Sequence, residues 1–262
     1  MSLAQRHIHA AADPGSGPLD ITRLRAAAED LRDSYQQARP FPHVVVDGLF
    51  DNSMLQSVVD EFPRADQPFW YRHIHRNSLK LALNQPQHMG PTTRALLAAL
   101  NSAAFLGVLE TLTGIDGLIP DPYMEGGGLH QIGARGFLGI HADFNVHKKL
   151  RLDRRLNLLL YLNQDWPASY GGELELWDRG MQAAQQRIAP LFNRMVVFNT
   201  NDDSYHGHPQ PLTCPENRSR KSLALYYYTA GRPESERSAA HSTLYQKRSG
   251  ALRRLKSLLS RG

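Results

Sequence analysis

A histidine and an aspartate two residues apart, His141 and Asp143, have types and spacing that suit metal chemistry. They lie in the stretch GIHADFNVH, at the predicted end of a strand. Because residues i and i+2 of a strand point to the same face, the two side chains can occupy two positions on one metal ion. The alternative is a surface turn in which Asp143 caps the local backbone. With twelve histidines in the chain, the pair alone does not decide between these interpretations.

A third ligand can come from the loop before the last predicted strand, which contains His206 and His208. In an antiparallel barrel this loop can return to the mouth that carries His141 and Asp143. Two imidazoles and one carboxylate form the facial triad that binds non-haem Fe(II). Arg220, at the start of the last strand, has a planar guanidinium suited to bidentate capture of a ligand carboxylate. Taken singly, His206 would more often be a loop histidine, and Arg220 a solvated charge.

Five short apolar or alternating runs in the second half predict the strands that position these residues. Gly, Pro, Asn and Asp separate them, which is typical of an antiparallel sandwich or barrel; the runs are GFLGIHAD, RLNLLLYLN, GELELW, MVVFN and SLALYYYT. We predict an α+β protein in which residues 1–120 form a mostly helical layer that packs on a β core. The core spans residues 121–232, and a basic tail follows at residues 233–262.

The first half begins with apolar residues spaced three and four apart. This spacing predicts a helix over residues 21–35, with Asp20 as its N-cap. A strand follows at residues 43–46, and then a second helix with Asn52 or Ser53 as its cap.

Two further segments complete the first half. Residues 64–91 are polar, and no regular element is predicted there. Residues 92–114 form a helical run that Gly114 closes.

Composition indicates a folded protein, with 41% hydrophobic and 21% charged residues among 262. No stretch approaches the roughly 20 apolar residues that a transmembrane helix needs. The single cysteine, Cys214, excludes an intramolecular disulfide, and we expect a cytoplasmic location. The net charge of +5 comes from the last sixteen residues, which hold six basic groups and no acidic one. We therefore predict no nucleic-acid partner.

Leucines at helical spacing within this tail predict a short amphipathic helix; they are Leu252, Leu255, Leu258 and Leu259. We expect it to dock on the protein's own surface. Contact with a membrane surface or an acidic partner is the alternative.

Taken in order, these segments resemble the Fe(II)/2-oxoglutarate-dependent oxygenases, and within them the prolyl 4-hydroxylase-like branch. The resemblance covers residues 121–230 and rests on HADFN, LNLLLYLNQDW, YGGELELWD, MVVFNTNDDSYHGHPQPL and RKSLALYYYT. An ordered set of this kind is far more specific than any one of its members. It implies a double-stranded β-helix, or jelly roll, as the core.

The resemblance also implies a site and an activity. Fe(II) would be held by His141, Asp143 and His206, and the far carboxylate of 2-oxoglutarate would pair with Arg220. The implied enzyme is a dioxygenase that uses O2, with ascorbate as an optional reductant. It hydroxylates an unactivated C–H bond and releases succinate and CO2.

Two more residues enter through the resemblance. Tyr161, the tyrosine of YLN, matches a position whose hydroxyl supports the 2-oxoglutarate carboxylate, and Asn157 is expected to line the pocket. For Tyr161 the alternative is an ordinary aromatic core residue.

The sequence departs from the family pattern in the loop before the last strand. His208 occupies a position that is usually aliphatic, and the segment PLTCPENRS lengthens the gap to Arg220. We assign the metal to His206, because HGHPQP then keeps the family order of His, any residue, an aliphatic position and a nearby proline. We prefer Arg220 to Arg218, because R-x-S-L-x-L then keeps the family register.

The loop after Asp143 contains His147, which we expect to be a bystander or to contact substrate. A basic run follows, most simply a solvated loop, with attraction of an acidic substrate as the alternative; it comprises Lys148, Lys149, Arg151, Arg154 and Arg155.

The expected substrate is an amino acid, a peptide or protein residue, or a biosynthetic intermediate. The absence of a separate peptide-binding module favours a small or short substrate. Two alternatives stand beside the hydroxylase. A cupin-like metal enzyme without 2-oxoglutarate would not need Arg220 or Tyr161, and a non-catalytic β-sandwich binding protein would tolerate loss of the polar positions. The sequence leaves the oligomeric state open.

Overall fold

The computed structural model describes residues 18–246. Its four α-helices are α1 (Ile21–Gln37), α2 (Asn52–Asp60), α3 (Pro91–Leu100) and α4 (Ala103–Thr113). The strands are β1 (His43–Asp47), β2 (Tyr71–His75), β3 (Ser78–Leu83), β4 (Ile119–Pro120), β5 (Gly128–Gly133), β6 (Phe137–Ala142), β7 (Asp153–Tyr161), β8 (Leu174–Trp177), β9 (Ala184–Ile188), β10 (Arg194–Asn199), β11 (His206–His208), β12 (Ser219–Thr229) and β13 (Leu244–Tyr245). The predicted helix in the tail lies outside the described residues.

All of these strands pair antiparallel in one sheet, in the order β1-β10-β7-β12-β5-β3-β6-β11-β8-β9. Strands β2, β4 and β13 pair with β3, β12 and β6 at the sides of this path. The sheet closes on itself, because side chains of β7 and β10 pack against β8 and β9 in one apolar cluster that includes Tyr161, Leu174, Leu176 and Phe198. The predicted α+β jelly roll is confirmed.

Strand β7 separates the two layers of the molecule. Leu156, Leu158 and Leu160 belong to the main core cluster, which also contains buried residues of all four helices. Tyr161 belongs to the cluster inside the barrel, and Leu159 packs against it. Alternation along the strand thus gives one face to the helical layer and the other to the barrel interior.

The helix predictions hold with two corrections. Asp20 caps α1 as predicted, since its carboxylate accepts from the backbone N–H of Arg23 at 3.0 Å. The cap of α2 is Asp51 rather than Asn52 or Ser53, because its Oδ1 accepts from Met54 N at 2.8 Å.

The run predicted as one helix over residues 92–114 is two helices. It breaks at residues 101–102, where the side chain of Ser102 accepts from Phe105 N and starts a new helix. Gly114 closes α4 as predicted, with a left-handed φ of 71°.

The polar segment without a predicted element forms a β-hairpin of β2 and β3. Strand β3 pairs with both β5 and β6, so it joins the two halves of the sheet. The hairpin therefore belongs to the wall of the barrel and positions part of the site. Strand β1 also comes from the first 120 residues and pairs with β10.

Between residues 18 and 246 no single helix is long and apolar enough to cross a membrane. Helices α3 and α4 pass that test only when taken together as a pair bent by 52°.

Candidate active site

Two neighbouring strands bring the H-x-D pair and a distal histidine together. His141 on β6 is the direct ladder partner of His206 on β11, and Asp143 follows the end of β6. The Nε2 atoms of His141 and His206 lie 3.5 and 3.4 Å from the carboxylate oxygens of Asp143. One ligand atom from each residue falls within 4.8 Å of the others, which is close enough for all three to hold one metal ion.

Backbone contacts fix which nitrogen of each histidine faces this point. Nδ1 of His141 lies 2.8 Å from the carbonyl oxygen of Gly139, and Nδ1 of His206 lies 2.9 Å from that of Ser204. A carbonyl can only accept, so Nδ1 carries the proton and the Nε2 lone pair points toward Asp143.

The charges of the three residues suit a divalent cation. Burial favours the neutral imidazole and lowers the pKa of His206 to about 4. Burial alone would raise the pKa of Asp143, but the Arg154 charge and the two imidazoles hold it well below its usual range. The set therefore presents a carboxylate and a neutral, unprotonated His206 at neutral pH, ready for metal.

Two further side chains orient the Asp143 carboxylate. Arg154 Nη2 and Asn157 Nδ2 donate to Asp143 Oδ2 at 3.0 and 2.8 Å. Arg154 also donates to Asn157 Oδ1 through Nε and Nη2, at 3.0 and 2.7 Å. Asn157 lines the cavity as predicted, and most of its hydrogen-bonding capacity is used on this carboxylate.

Arg154 was missed as a site residue, and the prediction of a solvated basic run is wrong for it and for Arg155. Arg154 is 1% exposed, and its guanidinium lies 3.5 Å from the ring centroid of Tyr226. The ladder between β7 and β12 shifts register here, so that Arg155 has no partner. This β-bulge turns Arg154 to the same side as Asn157, against the alternation of the strand.

Arg220 and Tyr161 form a second polar pair inside the barrel. Arg220 Nη2 donates to the Tyr161 hydroxyl oxygen at 3.1 Å, and Nε donates to the carbonyl oxygen of Gly172 at 2.8 Å. Burial raises the pKa of Tyr161, so the hydroxyl keeps a proton that it can donate.

The described residues give Arg220 no carboxylate partner, although it is 5% exposed. An unpaired buried guanidinium is costly. A ligand carboxylate in the cavity would remove that cost. Tyr161 does not itself line the cavity; it is fully buried in the apolar cluster inside the barrel.

Comparison with known proteins agrees with this geometry. Residues 127–228 match the model of the family described as the 2OG-Fe(II) oxygenase superfamily. This region belongs to that superfamily. The enzyme is thus a 2-oxoglutarate-dependent hydroxylase, with Fe(II) as cofactor and 2-oxoglutarate as co-substrate. A search of curated proteins found no relative of the oxygenase.

Solved structures share its fold. A prolyl-4-hydroxylase from Pseudomonas putida is 16% identical, with a TM-score of 0.54 over 79% of this chain and 100% of that chain. A prolyl hydroxylase from Trichoplax adhaerens, in complex with a hypoxia inducible factor peptide fragment, is 14% identical, with a TM-score of 0.58 over 79% and 91%. A prolyl 4-hydroxylase from Phytophthora capsici is 19% identical, with a TM-score of 0.54 over 95% and 78%. The oxygenase shares the jelly-roll fold of these three structures.

Arg218 and His208, the alternatives to Arg220 and His206, lie in different surroundings. Arg218 is on the surface, where Nη2 donates to the carbonyl oxygens of Gln164 and Asp165 at 2.6 and 3.1 Å. His208 lines the cavity, but it is not in the metal cluster, and neither ring nitrogen has a hydrogen-bond partner.

A cavity of about 390 Å³ joins the two polar groups of the oxygenase. His141, Asp143, Asn157, His206 and Arg220 all line it. A larger groove of about 570 Å³ is lined by none of these five residues, and Lys80 lines both the groove and the cavity.

The segment after the last core strand covers one side of the cavity. Strand β13 pairs with β6 beside the metal cluster, and the Tyr245 ring lies 5.5 Å from that of His141. Asn145 ties the segment down, since Nδ2 donates to the Ser238 hydroxyl and the Ala239 carbonyl oxygen. No pattern in the sequence predicts this contact, because β13 is only two residues long.

His147 has a structural role and does not line the cavity, in line with the expectation that it is a bystander. It is fully buried, and its Nε2 lies 3.1 Å from Asp121 Oδ1. Nδ1 accepts from the backbone N–H groups of Lys149 and Leu150 at 3.1 Å. His147 therefore holds the loop beyond the site and does not line the cavity.

Proposed function

We propose that His141, Asp143 and His206 hold the Fe(II) of this oxygenase, and that Arg220, which donates to the Tyr161 hydroxyl, binds the far carboxylate of 2-oxoglutarate. One observation carries this assignment. A buried guanidinium that has no carboxylate partner among residues 18–246 lines the same cavity as a His-Asp-His cluster whose ligand atoms are close enough to hold one ion. A cupin-like enzyme without 2-oxoglutarate would leave Arg220 unexplained.

Bound Fe(II) supplies the oxidative chemistry that converts 2-oxoglutarate and O2 to succinate and CO2 and hydroxylates a C–H bond. The protein orients the metal ligands and the reactants, and it excludes water from the site. Arg154 and Asn157 donate to Oδ2 of Asp143 and so fix the orientation of the carboxylate that would hold the ion. Asn157 thus acts through Asp143 and not by direct contact with 2-oxoglutarate.

The substrate we propose is small, such as a free amino acid, a short peptide or a biosynthetic intermediate. The cavity of about 390 Å³ also has to hold 2-oxoglutarate, and β13 and the β2–β3 hairpin contribute Tyr245, His73 and His75 to its lining. The limited volume supports a small reacting group rather than a folded surface.

The test compares wild type with Asp143→Ala, using iron content after anaerobic loading and succinate release from 2-oxoglutarate. Wild type should bind one Fe(II) per chain and release succinate slowly without substrate. Asp143→Ala should lose both, whereas the exposed control Asp116→Ala should keep both. Unchanged iron and succinate in Asp143→Ala would refute the assignment.

A further inference from the structure

Lys80 is a lysine of the missed hairpin that lines the active-site cavity. It lies on β3, between Leu79, which pairs with Phe137, and Leu81, which pairs with Gln131. Within residues 18–246 its ammonium group makes no hydrogen bond or ion pair, yet it lies within electrostatic range of Asp143, Arg154 and Arg220. Lys80 is thus a free cation in the interior of the site.

The cavity contains more positive than negative charge. Lys80, Arg154 and Arg220 line it, and Asp143 is the only acidic residue among the described lining residues. Asp143 is already bound by Arg154 and Asn157 and faces the two histidines. The metal ion would add further positive charge, so an additional anion is needed to balance the site.

The co-substrate does not account for Lys80. One carboxylate of 2-oxoglutarate would chelate the metal together with the keto group, and the other would bind Arg220. Both carboxylates are then used, and the Lys80 ammonium still lacks a counter-charge.

We propose that Lys80 binds a carboxylate of the primary substrate, so that the oxygenase acts on a small molecule with a free carboxylate. This inference rests on the proposed function of the same cavity. The ion pair would form in a protein-lined cavity, where a charge-assisted hydrogen bond is worth more than on the surface. It would hold the substrate at one end and leave its chain to reach the metal.

The protonation of Lys80 gives a second readout. Burial lowers the pKa of Lys80 to about 8; the Asp143 charge opposes this shift, and those of Arg154 and Arg220 add to it. Lys80 is charged below this value, so the affinity for a carboxylate should fall as the pH rises through about 8. Other titratable groups that face Lys80 do not change charge there: His73, His130 and His208 have lowered pKa values, and the pKa of Arg154 is raised.

The experiment uses the full chain loaded with Fe(II) and 2-oxoglutarate. The probes are the standard L-amino acids and their N-acetyl derivatives, each paired with its carboxamide. Stimulated succinate release and the dissociation constant under anaerobic conditions are measured for wild type, Lys80→Met and Lys80→Arg. Lys221→Met is the matched control, because that partly buried lysine lines the larger groove together with Lys80 but does not line the active-site cavity.

At least one acid should bind and stimulate wild type about tenfold better than its amide. Lys80→Met should abolish this preference while keeping iron and 2-oxoglutarate affinity, Lys80→Arg should keep part of it, and Lys221→Met should resemble wild type. The proposal is overturned if no acid of the series binds, if acid and amide bind equally, or if Lys80→Met keeps the preference. It is also overturned if Lys80→Met weakens the binding of 2-oxoglutarate instead, since Lys80 would then bind the co-substrate. Absence of iron or succinate in wild type would refute the proposed function itself.

Discussion

At the scale of single residues, His206 and His208 show how two similar side chains take different roles. They lie two apart on β11 and both line the cavity, but only His206 has Nε2 beside Asp143 and Nδ1 on a backbone carbonyl. His208 has no such partner, and burial lowers its pKa well below the usual value. The sequence placed the metal on His206 through motif register, and the geometry of the cluster supports that choice.

Replacement of each histidine separates the two roles. His206→Ala should abolish iron binding and succinate formation, because one of three ligands is lost. His208→Ala should keep the iron and lose rate only in part, because its nitrogens do not reach the cluster. Iron content and succinate release are the measurements. Iron that survives His206→Ala but disappears with His208→Ala would place the ligand two residues further along.

Arg154 shows what residue patterns cannot predict. The H-x-D pair and the distal histidine are local motifs, so the sequence alone was sufficient to propose them. Arg154 acts on Asp143 only because a bulge reverses its direction on β7, and the basic run around it indicates a solvated loop. A bulge depends on the partner strand, which is distant in sequence.

At the scale of elements, the β2–β3 hairpin was missed because its inward face is polar. Ser78 and Lys80 alternate with Leu79 and Leu81 as in a strand. But His73, His75 and Lys80 line the cavity, so the residues that point inward are polar and the segment resembles a loop in composition. The same polar face makes the hairpin part of the active site. The strands with apolar inward faces were predicted correctly for the opposite reason.

The turn before β8 is the second element that positions the site. Gly171 and Gly172 both have left-handed φ angles, of 69° and 80°. A Cβ on Gly172 would lie 2.7 Å from Leu212 and 3.0 Å from Arg220 Cδ, whereas one on Gly171 would meet nothing. The Gly172 carbonyl also accepts from Arg220 Nε. The GGEL motif therefore fixes the position of the guanidinium.

We predict that Gly172→Ala weakens 2-oxoglutarate binding by at least about fivefold, from backbone strain of roughly 1–3 kcal/mol and displacement of Arg220. Iron binding should persist. Gly171→Ala has the same kind of backbone strain without the contact, so it should lose stability but keep 2-oxoglutarate affinity. Calorimetric titration and thermal unfolding distinguish the two effects, and equal affinities in both variants would contradict this role of Gly172.

At the scale of the whole molecule, the jelly roll and the helical layer could be predicted because they rest on local periodicity and on the ordered motifs of the second half. The segment that covers one side of the site could not be predicted. The pairing of β13 with β6 and the hydrogen bonds of Asn145 join residues about a hundred positions apart, and no local sequence pattern predicts these contacts. The cytoplasmic location and the docking of the basic tail stay predictions.

Two truncations test the division between core and tail. Removal of residues 247–262 should leave iron binding and succinate formation largely intact, because every candidate ligand precedes them. Removal of residues 238–262 also deletes β13 and the hydrogen bonds to Asn145, each worth about 0.5–1.5 kcal/mol. This longer truncation should lower the melting temperature and reduce succinate formation. Loss of iron in the shorter truncation would show that the tail is part of the site.

The measurement that tests the central claim most directly is the 2-oxoglutarate affinity of the Fe(II)-loaded, anaerobic protein in wild type, Arg220→Ala and Arg218→Ala. Loss of a charge-assisted pair costs about 1.5–3 kcal/mol, or roughly tenfold to a hundredfold in affinity. Arg220→Ala should show this loss with its iron content unchanged, and Arg218→Ala should bind 2-oxoglutarate like wild type. An unaltered affinity in Arg220→Ala, or a loss confined to Arg218→Ala, would contradict the account.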